Sequence, residues 1–196
     1  MKVAIIDFGA GNLKSISNFF IRNFNFKVNL YNSPEKEIDN CDLLVLPGVG
    51  HFGHATNNIR SKKLDISIIE FCNSGKPVIG ICLGAQILTK SSEEEPFSKG
   101  LGIINAVCKS LTSHPEYRES IPRVGWCGIE GKSKHTYYFV HSFYIDVLDK
   151  SLKTISSTDG VTASVQNNNI IAMQYHPEKS DISGIEIIKD FISDYV

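Results

Sequence analysis

Neither charge is in excess in this sequence: 20 Lys and Arg face 21 Asp and Glu, a net charge of -1 over 196 residues. A nucleic-acid binder would carry a basic stripe or surplus, so that class is set aside. No apolar run approaches the roughly 20 residues that cross a bilayer. Asp7 also interrupts the opening apolar stretch where a secretory leader needs an unbroken core. The five cysteines are an odd number and form no CxxC pair, which argues against a disulfide framework or a zinc ribbon. Linkers rich in Pro, Gly and Ser, internal repeats and low-complexity tracts are all missing. These absences lead us to expect one cytoplasmic domain over residues 1–196, with no metal or cofactor and no nucleic-acid or membrane partner.

What is present reads as alternating strands and helices. Val3-Ala4-Ile5-Ile6 predicts a buried strand, followed by a turn at Gly9-Ala10-Gly11 and a helix from about Asn12 to Asn23. Further strands are expected at Lys27–Tyr31, Leu43–Leu46 and Pro77–Ile81, with helices over about Leu64–Ser74 and Leu83–Lys90. Strands apolar on both faces, separated by helices, imply a parallel sheet covered on two sides. After Gly102 the pattern shifts to β-rich runs such as Tyr137–Val140 and Ile170–Met173, read as added, partly antiparallel strands, before a terminal helix from about Ser183 to Asp194. The acidic run Glu93-Glu94-Glu95 is expected to be a solvated loop.

Three segments carry chemistry. Gly80-Ile81-Cys82-Leu83-Gly84 lies between an apolar strand and a helix start, the G-x-nucleophile-x-G arrangement that holds a reactive side chain exposed on a strained turn. A thiol there sits at the entrance of a helix, which favours the thiolate and offers backbone N–H groups to an oxyanion; read alone, Cys82 could equally be a packing thiol. In His176-Pro177-Glu178, residues i and i+2 of an extended segment share a side, so the carboxylate could orient the imidazole and stabilise its charge. The alternative is a surface turn with a chance charge pair. Pro47-Gly48-Val49-Gly50-His51-Phe52 is a glycine-rich loop at a third strand end, either an ordinary turn or a source of free amides. Strand C-terminal ends of a parallel sheet share one edge, so nucleophile, base and oxyanion donors could meet there. Lys14 stands where a dinucleotide fingerprint needs its third glycine, His51 and His54 lack a third metal ligand, and the other four cysteines read as packing thiols.

Together these residues resemble the class I (triad) glutamine amidotransferases, in particular the glutaminase subunits of imidazole glycerol phosphate synthase. The likeness runs through Ile6-Asp7-Phe8-Gly9-Ala10-Gly11-Asn12-Leu13, the Leu46–Gly53 loop, the Gly80–Gln86 elbow, Tyr138-Phe139-Val140-His141-Ser142-Phe143-Tyr144 and Gln174–Ser180. The resemblance implies a flavodoxin-like three-layer α/β fold, with a central mostly parallel sheet and added antiparallel strands. It implies a triad of Cys82, His176 and Glu178 that hydrolyses glutamine to glutamate and ammonia. Gly48, Val49, Gly50 and Leu83 would serve the oxyanion, and Gln86, His141, Ser142 and Phe143 would position glutamine. The implied partner is a (βα)8-barrel cyclase, docked through Arg123, Trp126 and Lys179 as a heterodimer that receives the ammonia. Pro122-Arg123-Val124-Gly125-Trp126-Cys127 departs from the family's usual cyclase-facing segment, which keeps a second partner in view, a sugar amidotransferase of surface polysaccharide synthesis.

Overall fold

In a computed structural model, which describes residues 1–132 and 134–195, the first half of the chain alternates strands and helices. It runs β1 (Lys2–Ile6), α1 (Leu13–Phe24), β2 (Lys27–Tyr31), β3 (Leu43–Leu46), α2 (Phe52–Ser61), α3 (Leu64–Asn73), β4 (Val78–Ile81) and α4 (Leu83–Ile87). The second half is β-rich: β5 (Ala106–Ser110), β6 (Arg123–Gly128), β7 (Thr136–His141), β8 (Phe143–Val147), β9 (Lys153–Ser156), β10 (Thr162–Asn167) and β11 (Ile170–Met173), closed by α5 (Asp181–Ile192). The main sheet has the order β2-β1-β3-β4-β11-β10-β9. Its first five strands are parallel, while β10 pairs antiparallel with β11 and β9 antiparallel with β10. Two antiparallel pairs, β5 with β8 and β6 with β7, stand beside it. The expected mostly parallel sheet with antiparallel additions is therefore what forms, in the 2-1-3-4 order of doubly wound folds.

The apolar patterns explain the layers. Every residue of β3, β4 and β11 is buried, so these strands are covered on both faces. One face packs under α2, α3 and α4 through residues such as Leu44, Phe52, Ile59 and Ile68. The other packs under α1 and α5 through Ile5, Phe20, Ile79, Ile188 and Phe191. Helix α1 buries Ile16, Phe19 and Phe20, the i, i+3, i+4 stripe of an amphipathic helix. Asn12 caps it, its side chain accepting from Ser15 N–H at 3.1 Å, and Asn25 ends it in the left-handed conformation.

Three expectations are corrected. The helix after the elbow stops at Ile87 rather than Lys90, because the carbonyls of Ile87, Leu88, Thr89 and Lys90 accept bonds from the returning 100–104 segment instead of continuing the helix. An unforeseen helix, α2, begins inside the glycine-rich loop. His51 caps it through Nδ1, which accepts from Gly53 N–H at 3.2 Å, and its buried residues Phe52, Ala55, Thr56 and Ile59 keep a helical period. The acidic run is not merely solvated: Glu94 accepts the Phe52 N–H at 2.7 Å and Glu93 accepts the Ser110 N–H at 2.7 Å. Two carboxylates thus pin the 91–99 strap, one to the start of α2 and the other to the end of β5.

Candidate active site

The site is assembled by strand pairing. β4 and β11 are parallel neighbours with Ile81 opposite Met173, and Cys82 N–H donates to the Met173 carbonyl at 2.7 Å. That register brings the elbow and the Gln174–Glu178 segment to the same sheet edge although 94 residues separate Cys82 from His176. The segment is fixed from its other side by β7, since His176 N–H donates to Tyr138 O at 2.9 Å and Tyr138 N–H donates to Ser180 Oγ at 3.0 Å. Helix α5 then closes on it: a methyl group at Gly184 would overlap the Pro177 carbonyl, so only glycine permits this approach.

Cys82 has φ 51° and ψ −110°, outside the regions an L-residue with a side chain prefers. Such strain persists only when the surroundings over-determine it. Here Gly84 is pressed against β3 so closely that a side chain would overlap the Leu46 carbonyl. The thiol opens on a cleft of about 240 Å³ lined by Val49, Gly50, Leu83, Gln86, Glu94, Pro122, Val140, His141, Ser142 and Phe143. That is smaller than the roughly 300–1,000 Å³ of drug-sized sites and matches a ligand the size of an amino acid. Gly48 lies just behind this lining, packed on Leu83.

Behind the thiol, His176 Nδ1 and Glu178 Oε1 are 2.8 Å apart, with both side chains 2% exposed. Burial alone would lower the His176 pKa; the interactions with Cys82 and Glu178 outweigh it and raise it to about 9. The imidazole is therefore cationic at neutral pH, with Nδ1–H directed to the carboxylate. Its Nε2 has no hydrogen-bond partner among the described residues. A protonated nitrogen, a strained thiol and a cleft together can support nucleophilic attack and proton transfer to a leaving group.

Of the residues expected to dock a partner, Trp126 is half exposed and Lys179 is exposed, with Lys179 Nζ 5.5 Å above the Tyr138 ring and Trp126 edge-on to that ring at 5.9 Å. Arg123 is placed differently. It is buried, 2.9 Å from Asp159, 3.2 Å from Ser157 Oγ and 4.0 Å above the Phe139 ring, so its charge faces inward. Two polar groups at the site escaped the motif reading. Glu94 lay hidden in the acidic run. Gln174 is wholly buried beside the thiol, and its position two residues before His176 on an extended segment was a signal that it shares that residue's side.

The Glutamine amidotransferase class-I family profile matches residues 4–194. A protein of Gloeothece citriformis named imidazole glycerol phosphate synthase subunit HisH is 37% identical, covering 97% of this chain and 95% of that one. A Trichodesmium erythraeum protein of the same name is 39% identical, covering 97% and 94%. One from Listeria innocua is 36% identical over 96% and 94%. Among solved structures, a glutamine amidotransferase superposes with a TM-score of 0.78 at 16% identity over 97% of this chain and 96% of that one. The structure of PurLQS from Thermotoga maritima gives 0.76 at 17% over 99% and 98%. At those identities the structural likeness concerns the fold.

Proposed function

This chain belongs to the class-I glutamine amidotransferase family, and we propose that it is the glutaminase subunit of an imidazole glycerol phosphate synthase, acting in histidine biosynthesis in the cytoplasm as a single domain. The observation that carries the reading is a thiol on a strained elbow that opens on a cleft, with a buried imidazole held 2.8 Å from a carboxylate and its pKa raised by that thiol and carboxylate. Relatives bearing the synthase-subunit name at 36–39% identity support this partner over a sugar amidotransferase. No helix among the described residues is long and apolar enough to cross a membrane.

In this reading the Cys82 thiolate attacks the side-chain amide carbon of glutamine. Backbone amides of Leu83 and the Gly48–Gly50 loop face the oxyanion that develops. His176 gives its Nε2 proton to the departing nitrogen, so ammonia leaves and a γ-glutamyl thioester remains. Neutral His176 then takes a proton from water as water attacks, and glutamate departs with the thiol restored. Glu178 keeps the imidazole oriented and stabilises its cationic form. Gln86, His141, Ser142 and Phe143 line the pocket for the amino-acid end of glutamine. Ammonia passes to a (βα)8-barrel cyclase docked over Trp126, Tyr138 and Lys179. Val49, half exposed between two glycines, is the latch: partner docking turns its peptide so that an amide faces the oxyanion.

The test is Cys82→Ala assayed with the cyclase. Glutamine-dependent synthesis should fall by at least about a thousandfold while synthesis from added ammonia is retained. Persisting glutaminase turnover would remove Cys82 from the chemistry, and equal wild-type rates with and without the cyclase would remove the latch.

A further inference from the structure

Behind the thiol runs a chain of two buried carboxamides, Gln86 and Gln174, of which Gln174 has no part in the steps above. Gln86 Nε2 donates to the Phe143 carbonyl at 3.1 Å and to Gln174 Oε1 at 3.0 Å. Gln174 Nε2 in turn donates to Cys82 Sγ at 3.6 Å. One backbone group fixes both orientations. The Phe143 carbonyl can only accept, so the Gln86 atom facing it must be nitrogen. That nitrogen also faces Gln174, whose near atom must then be oxygen, which leaves the Gln174 NH2 facing sulfur. A flip of either amide would set two oxygens or two donors against each other. The same carbonyl also accepts from His141 Nδ1 at 2.9 Å, so a single peptide oxygen organises both polar walls of the cleft.

We propose that Gln174 is a thiolate-stabilising group: its Nε2–H, oriented through Gln86, donates to Cys82 Sγ and favours the ionised form over the thiol. The inference rests on the reading of Cys82 as nucleophile. In the neutral state the thiol donates to Val140 O at 3.7 Å while accepting from Gln174. On ionisation the bond to Val140 is lost, and the Gln174 bond strengthens because its acceptor is now charged. The other titratable groups around this cleft are His176 with Glu178 behind it, His141 at the end of β7, and Glu94 on the strap. Gln174 is a neutral donor among them, so its contribution persists across the whole range in which those groups titrate. Gln86 serves the same end as a positioning residue. With its amide protons directed to Phe143 and Gln174, only its side-chain carbonyl remains for substrate.

The experiment is site-resolved alkylation of the full-length chain with iodoacetamide across pH, read at Cys82 by peptide mass spectrometry. Cys72 and Cys108, pushed up to about 12 by burial, are the unreactive internal references. Gln174→Glu keeps the oxygen that accepts from Gln86 but turns the donor facing sulfur into an acceptor. Its alkylation midpoint should rise by about one pH unit or more, a tenfold loss of thiolate at fixed pH, equal to about 1.4 kcal/mol. A folded Gln174→Glu protein whose curve overlays wild type would overturn the proposal. If the buried carboxylate prevents folding, Gln174→Met removes the donor without adding charge, and its midpoint must rise too; an unchanged midpoint again overturns the proposal. Gln86→Met should shift the midpoint in the same direction by less. Failure of the nucleophile reading has its own signature: Cys82→Ala that keeps glutaminase turnover sinks that reading whatever the alkylation curves show.

Discussion

The end of β7 and the turn after β11 each carry a buried histidine, His141 in the lining of the cleft and His176 behind the thiol, and at neutral pH the first is neutral and the second cationic. At the end of β7, burial pushes the His141 pKa down, the bond from Nδ1 to the Phe143 carbonyl opposes this, and the nearby Arg123 charge adds to the lowering, leaving it at about 4. After β11, burial acts on His176 in the same direction but is outweighed by Cys82 and Glu178, and the pKa rises to about 9. In both rings Nε2 is buried without a hydrogen-bond partner among the described residues. With Nδ1 protonated in each, His141 presents a lone pair at Nε2 and His176 a proton. Cys82 and the Glu178 carboxylate, neither of which has a counterpart at His141, set that difference. Burial alone would have made the two rings alike.

The most severe way to break this contrast is Glu178→Gln, which replaces a carboxylate by an amide of nearly the same shape. We expect glutaminase turnover with the cyclase present to fall by about 10² to 10⁴, following the cost of removing the orienting acid from a triad. The His176 titration midpoint, followed by NMR, should fall from about 9 towards the ordinary histidine value. An unchanged rate would make the carboxylate a bystander.

A smaller effect sharpens the contrast through stability. His176 has a folded pKa above its unfolded value of about 6.5, so its contribution is complete below pH 6.5 and is lost as pH climbs through 9. His141 is depressed, so its contribution stands above pH 6.5 and is lost as pH falls through 4. Each limb amounts at full extent to about 3 kcal/mol. Unfolding free energies from urea titrations between pH 4 and 9 should show Glu178→Gln flattening the alkaline limb and His141→Gln flattening the acid one. If either substitution flattened both limbs, the two rings would not be independent.

Much of this contrast was legible in the sequence, and the remainder was not, for physical reasons. β1, β3 and β4 are short apolar runs with turn residues at their ends, and their burial on both faces follows from composition alone. The elbow and the His-Pro-Glu turn are local patterns, so Cys82, His176 and Glu178 could be named before any fold was known. Helix α2 kept a helical period from Phe52 to Ile59 but was masked by the glycines around its start. The family resemblance placed Arg123 in the partner-facing segment, yet its guanidinium turns inward to Asp159, a partner 36 residues away. Gln174 and Glu94 act through pairings with residues 92 and 42 positions distant, which no local window contains. What a side chain pairs with across the sheet stays hidden until the register is fixed.

The smallest effect is expected at Arg123, which bears on the contrast from outside the cleft. Its guanidinium pairs with Asp159 and stacks on Phe139, and its charge is one of the influences that lower the His141 pKa. Arg123→Met keeps a long apolar side chain against the Phe139 ring but removes the charge. Breaking a fully buried pair costs about 3–5 kcal/mol. Asp159 is a quarter exposed and retains the Ser157 hydroxyl, so water recovers part of that and about 1–2 kcal/mol remains. For a chain of this length the loss corresponds to a fall of about 2–8 °C in Tm, measurable by calorimetry. The His141 midpoint should rise, because a cation is gone while Asp159 is left beside it, whereas His176 stays near 9, held by Cys82 and Glu178. NMR titration of both rings in the variant decides the matter. A shift of His176 as large as that of His141 would mean the two edges of the cleft share one charge network, and the separation drawn between them would fail.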